Sequence, residues 1–206
     1  MREMADFKDV LCDVCSASRG VNPEILELVI LLAVEIAREG REGRRIGTIL
    51  VVADSDAVVR SSQSLILDPL YGHPDDRKRL ADPDTRETIK ELAQLDGAFV
   101  ISDEGIVLSA CRYLNAPSDG IRLPFGLGAR HMAAAAISKA TKAVSVVVSE
   151  SSVVRVFDDG RMVSEIIPEL WLFSRYSRIP YSGLKEGKLA VYNRPDSMAS
   201  PEVRLD

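Results

Sequence analysis

The sequence predicts an α/β domain: a mixed central β-sheet flanked by helices, with further helices at the N-terminus. Three observations carry this. Strand-length runs rich in β-branched residues recur after residue 45, as in "IGTILVVAD", "GAFVIS" and "KAVSVVVSES". Helical patterns lie between them, at 84–94 and in the alanine-rich stretch after residue 128. The alternation is not a strict strand-helix-strand repeat, because two strand pairs are joined by tight turns, so the sheet is mixed. With 206 residues, 46% of them hydrophobic, the chain can bury one substantial core.

The elements follow in order. Residues 4–17 read as a short helix, and 1–44 as an N-terminal helical segment. Cys12 and Cys15 share one face of the first helix and read as small buried residues rather than a metal pair, since no second Cys or His pair lies nearby. The next helix carries start and stop signals. Asn22 caps, Pro23 suits the first helical position, Glu24 favours the positive end, and Gly40 and Gly43 end it. This helix is apolar nearly all round, which predicts burial against a sheet or partner. "IGTILVVAD" (46–54) is a strand and "DAVVRSS" a short helix or turn. Residues 68–84 form a loop broken by Pro69, Gly72, Pro74 and Pro83. Residues 84–94 form a helix capped by Asp84, with Glu87 three residues on. "DGAFVISDEGIVLSACRYL" (96–114) reads as two strands joined by "SDEG". A loop at 118–128 leads into a helix over 129–141. Residues 142–151 mark a central strand, and 153–166 a hairpin around Asp159-Gly160. A short helix and coil at 168–182 and an edge strand at 187–193 complete a domain spanning 45–195. The tail 196–206 is polar and expected to fray.

Composition excludes several classes. The chain has 26 basic and 31 acidic residues, a net charge of -5, which argues against a nucleic-acid-coating protein. The most apolar stretch, 25–37, is interrupted by Glu27 and Glu35, so no membrane span is expected. The first ten residues carry charges where a signal peptide needs an apolar run. Three cysteines give no disulfide framework. The expectation is a cytoplasmic protein.

Three places stand out because they fall at element ends, where α/β folds build ligand sites. "DGA" (96–98) opens a strand, "GLGARH" (126–131) opens a helix, and "SES" (149–151) closes a strand. The second is the most telling. A helix start offers unpaired N–H donors and partial positive charge, glycine admits close backbone approach, and phosphate is the common guest. Each place has an ordinary structural explanation alone: a turn before a strand, a helix-start histidine, a solvated loop. No G-x-x-x-x-G-K-[ST] is present, which disfavours a P-loop NTPase.

Taken together, in this order and spacing, the motifs resemble those of the diadenylate cyclase (DAC, or DisA N-terminal) domain family, with its archaeal branch nearest. That family carries D-G-A, then G-[TS]-R-H-R-A-A, then a strand ending in S-E. The counterparts here are "LDGAFVIS", "GLGARHMAAAAIS" and "VSVVVSESS", within roughly 46–166. Two positions depart: Met132 stands where the family has a second arginine, and Ala129 where it has a hydroxyl residue. Both changes remove a potential phosphate contact.

The resemblance implies condensation of two ATP molecules into cyclic di-AMP with loss of two pyrophosphates. Such chemistry rests on positioning and charge neutralisation. Arg130, His131 and the backbone of Gly126, Leu127, Gly128 and Ala129 would form the triphosphate cradle. Asp96 would sit beside the attacking 3'-hydroxyl, as base or as metal ligand. Gly97, Ala98 and Ser149 would line the nucleotide, and Tyr113 and Leu114 the adenine. A divalent ion, Mn2+ or Mg2+, would be held by Asp96 and Glu150, since the chain has only two histidines, His73 and His131. A ring of two identical nucleotides further implies two copies facing each other across a two-fold axis, Asp96 of one near the α-phosphate held by the other, or a larger homo-oligomer. The competing readings are a non-catalytic nucleotide or cyclic-dinucleotide binding module, motivated by Met132 and Ala129, and another nucleotidyl- or phosphotransferase sharing the cradle.

Overall fold

The structure, a computed structural model, describes residues 20–41 and 43–176. The expected helix at 4–17 with Cys12 and Cys15, the strand at 187–193 and the tail lie outside the described residues.

Helix α1 (Pro23–Glu39) starts and stops as its sequence dictates. Asn22 Oδ1 accepts from Glu24 N–H at 3.0 Å. Gly40, at φ 58°, donates its N–H to Ile36 O. Strand β1 (Thr48–Val52) follows, then α2 (Ser55–Arg60), β2 (Ser62–Ser64), α3 (Pro83–Leu92), β3 (Ala98–Ile101) and β4 (Val107–Leu114). Helix α4 (Ala129–Ala140) leads to β5 (Val144–Val148), β6 (Val154–Asp158), β7 (Arg161–Ile166) and α5 (Pro168–Tyr176). The β6–β7 turn places Asp159 at φ 49° and Gly160 at φ 75°. Two consecutive positive values match the right-handed twist of a hairpin.

Two local expectations are corrected. The cap of α3 is Asp82, not Asp84: Asp82 Oδ1 accepts from Asp84 N–H at 3.0 Å. Pro83 is pre-set for the first helical position, which moves the cap upstream of it. Strand β2 was not expected. Three polar residues carry no strand pattern, and they pair because the edge of β4 opposite β3 offers Arg112–Leu114.

The seven strands are ordered β2-β4-β3-β1-β5-β6-β7. Strands β1 and β3 are parallel, and every other neighbouring pair is antiparallel. Side chains alternate between two cores, as the two-residue period requires. Leu50, Val52, Phe99, Ile101, Val144 and Val146 enter the core that also holds α1, Ile89 of α3 and Trp171 of α5. Ile49, Val51, Ala98, Val100 and Val147 enter the other, with Val58 of α2 and the α4 residues Ala134, Ala135 and Ile137. Helices cover both faces, which is why β1 and β5 are apolar nearly throughout. Helix α1 is pinned to α3 by Lys90, whose Nζ lies 3.1 Å from Glu39 and 3.7 Å from Glu35. Among the described residues no helix is long and apolar enough to cross a membrane.

Candidate active site

The strand register assembles the site. Arg112 of β4 pairs with Ala98 of β3, Ala98 with Ile49 of β1, and Ile49 with Val147 of β5. These four form one row across four adjacent strands, and all four line a cavity of about 600 Å3. The row lies at the amino ends of β1 and β3 and the carboxyl end of antiparallel β5. Segments that leave the sheet there reach the same opening. Asp96 and Gly97 precede β3, Tyr113 and Leu114 end β4, Ser149 and Glu150 follow β5, and the start of α4 closes the other side with Gly128, Ala129, Arg130, His131 and Ala133. Gly126, at φ 91°, and Leu127 are not among the lining residues.

Arg130 is the cation at the centre of this opening. Its Nη1 donates to Glu150 Oε1 at 2.9 Å, and its Nη2 lies 3.7 Å from Asp96 Oδ1. The D-G-A, R-H and S-E motifs, scattered over more than fifty residues of chain, therefore meet on one guanidinium. Gly47 makes this possible. A Cβ there would lie 2.7 Å from Arg130 Nη1 and 3.3 Å from Glu150 Cγ. Asp96 also accepts from the N–H of Gly97 at 3.0 Å. Gly97 has a steric reason of its own: at φ 110°, its missing Cβ would sit 2.6 Å from the backbone of Cys111. Cys111 itself is held at φ 54°, where the β3–β4 register shifts.

His131 is buried, unlike Arg130. Its ring meets Phe157 edge-on, with centroids 6.1 Å apart. Nε2 lies 3.3 Å from Arg155 Nη1, and Nδ1 has no hydrogen-bond partner among the described residues. Burial, then the nearby positive charges of Arg155 and Arg130, push the imidazole below its ordinary value against the opposing pull of Glu165. The fixed positive charge at the start of α4 is that of Arg130. The Ser149 hydroxyl contacts Ser151 at 2.6 Å and Val153 O at 3.1 Å.

Met132 does not line the cavity. The sequence reading missed Gly47, Arg112 and Arg155. Arg112 lines the cavity while its guanidinium holds β2 and the end of α2, through Ser62, Ser64 and Val59 O. An arginine alternating with valines, or a glycine before a strand, gives no signal of what lies across the sheet.

The donor set bears on a metal. Asp96 and Glu150 offer hard carboxylate oxygens beside Arg130, and among the described residues no group of three or more His, Cys, Asp or Glu side chains would cage an ion. Two carboxylates suit an ion that takes its remaining ligands from substrate phosphates and water, the usual habit of Mg2+.

The family model described as DisA bacterial checkpoint controller nucleotide-binding (DAC) matches residues 35–162. The chain belongs to the DAC family. Two curated DAC-family relatives are named diadenylate cyclase. The one from Methanocaldococcus jannaschii is 51% identical over 144 residues, covering 69% of this chain and 45% of the relative. The one from Haloferax volcanii is 37% identical over 174 residues, covering 83% of this chain and 62% of the relative. The chain thus spans 45% and 62% of the lengths of these two relatives. A crystal structure of DacA from Staphylococcus aureus superposes with a TM-score of 0.50 at 22% identity, covering 74% of this chain and 95% of that one. A Bacillus cereus structure titled a hypothetical membrane spanning protein gives 0.50 at 20% identity, covering 68% and 62%. These two likenesses concern the DAC fold.

Proposed function

We propose that this protein is a diadenylate cyclase, condensing two ATP molecules into cyclic di-AMP at a two-fold contact between two copies of the chain. The observation that carries the reading is the meeting of Asp96 and Glu150 on Arg130 at the start of α4. This places acidic and cationic groups, with a helix start, around one opening in a member of a family whose curated relatives above are named for this activity.

A cavity of about 600 Å3 is of a size for one nucleotide. Two ATP molecules therefore call for two cavities brought face to face. In each half-reaction the 3'-oxygen of one nucleotide bonds to the α-phosphorus of the other. The bond from that phosphorus to the bridging oxygen breaks, pyrophosphate leaves, and the hydroxyl proton passes to a base. Two such steps close the ring. Arg130 neutralises charge growing on the phosphate oxygens, with its planar fork of donors. The N–H groups at the start of α4 add partial positive charge. Asp96, exposed at the cavity mouth, would accept the hydroxyl proton or hold the metal that lowers the hydroxyl's pKa. Asp96 and Glu150 would hold a divalent ion, Mn2+ or Mg2+, which when bound supplies further charge neutralisation at the triphosphate. A reaction that consumes ATP fits the cytoplasmic location expected from the sequence.

The test is incubation with ATP and Mn2+ or Mg2+, with mass spectrometry for cyclic di-AMP and a pyrophosphate assay. Two pyrophosphates per cyclic product are expected, with specific activity rising with protein concentration as copies associate. ATP binding without product would overturn the cyclase reading in favour of a binding module. Activity on one nucleotide plus a separate acceptor would favour another nucleotidyltransferase.

A further inference from the structure

Behind the cavity wall, Arg155 of β6 touches three groups from three elements. Its Nε donates to Glu165 Oε2 of β7 at 2.7 Å. Its Nη1 lies 3.3 Å from His131 Nε2 of α4 and 3.4 Å from Ser149 Oγ at the end of β5. Arg155 does not line the cavity, whereas His131 and Ser149 do. We propose that Arg155 is the positioning residue of this site, fixing His131 as its neutral Nδ1–H tautomer and tethering Ser149 to the same guanidinium.

The argument is one of donors and acceptors. A guanidinium has N–H groups and no acceptor. A contact from Arg155 Nη1 to His131 Nε2 is a hydrogen bond only if Nε2 offers its lone pair, so the ring proton sits on Nδ1. The alternative, an imidazolium, would turn N–H against N–H and charge against charge. Arg130 on the same helix adds a second positive neighbour, and Glu165 is already engaged by Arg155. Phe157 packs against the ring edge-on, with centroids 6.1 Å apart. Nδ1–H thus remains the ring's single donor, buried and without a partner among the described residues. The planar fork matters as much as the charge. One side chain spans β7, α4 and the turn after β5, so the helix start and the S-E turn keep a common frame. A lysine at position 155 would bring the charge without the span.

The kinetic part rests on the cyclase reading, and the tautomer does not. The chain has two histidines, so a long-range 1H–15N spectrum of labelled protein shows two rings, with His73 as internal reference. The expected result for the wild type is a protonated Nδ1 and an unprotonated Nε2 on His131. A protonated Nε2, or an imidazolium, overturns the proposal whether or not the protein makes cyclic di-AMP. In Arg155→Met the His131 signals should change to a mixture of tautomers. Turnover should fall about tenfold, the scale on which removing an orienting partner of a site histidine acts, with a smaller change in KM. Arg155→Lys should not restore turnover. Unchanged tautomer in folded Arg155→Met, or unchanged ATP affinity and turnover in either folded variant, refutes the assignment. If Arg155→Met does not fold, Arg155→Lys carries the turnover and affinity readouts, and the wild-type spectrum carries the tautomer. If the wild type binds ATP yet makes no product, the cyclase reading fails, and the tautomer and ATP-affinity readouts still decide the role of Arg155.

Discussion

Gly47→Ala tests the site through the space beside its central cation. The φ of Gly47 lies outside the left-handed region, so alanine accepts the backbone and the effect is one of volume. The added methyl would lie 2.7 Å from Arg130 Nη1 and 3.2 Å from Cζ. Contacts that short are not tolerated, and the guanidinium must swing away from Glu150 Oε1, now 2.9 Å from it. The stability cost is small. The Arg130 and Glu150 side chains are 41% and 68% exposed, and an exposed ion pair contributes about 0.2–1 kcal/mol. At about 2–4 °C per kcal/mol for a chain of this size, Tm should move by no more than a few degrees. The cost to ligand binding is larger. A charge-assisted hydrogen bond to phosphate contributes about 1.5–3 kcal/mol, which converts to roughly ten- to a hundredfold in ATP affinity. Calorimetric titration with ATP, beside a thermal melt, separates the two effects. A folded Gly47→Ala protein that binds ATP as tightly as the wild type would refute the placing of Arg130 as the phosphate contact.

Four further outcomes are expected. Asp96→Asn should abolish cyclic di-AMP while ATP binding survives in calorimetry; full activity would remove Asp96 from the chemistry. Gly97→Ala should lower Tm by several degrees, because a Cβ would meet the Cys111 backbone at 2.6 Å on top of a φ of 110°, and strain of this kind costs about 1–3 kcal/mol. The pH dependence of folding should carry the signature of His131. Its folded value is depressed below the ordinary 6.5, so as pH falls through that value the unfolded chain takes up a proton the folded chain refuses. Stability is therefore lost on acidification below about pH 6.5, and His131→Gln should show a shallower decline in urea midpoints over that window. Removal of divalent ions with a chelator should stop product formation and leave the melting curve of the nucleotide-free protein unchanged.

The legible parts of the sequence were those whose signal is local. The hairpin turn at Asp159-Gly160 needs residues that accept positive φ, and the run of alanines and the Asn22-Pro23 start need only their own neighbours. The motifs at 96–98, 126–131 and 149–151 were visible as glycine and charge at element ends. What could not be read is how far apart these ends lie in space. Pro83 displaced the expected cap of α3 by two residues, since a proline's fixed φ outweighs the capping pattern. Strand β2 formed from Ser62–Ser64 because an edge was available. Gly126 and Leu127 looked equal to Gly128, and only the last reaches the cavity wall.

By itself, then, the sequence determined the types of the main described elements other than β2, the helices flanking the sheet and the family motifs, because period, turn chemistry and capping act over a few residues. The order of the strands, the parallel pairing of β1 with β3 inside an otherwise antiparallel sheet, and the row Arg112–Ala98–Ile49–Val147 were decided by tertiary structure. So were the contacts of Gly47 with Arg130 and Glu150, and those of Arg155 with His131, Ser149 and Glu165. Packing two helical layers on one sheet selects a single register, and that register, with α4 seated on it, brings Asp96, Arg130 and Glu150 together.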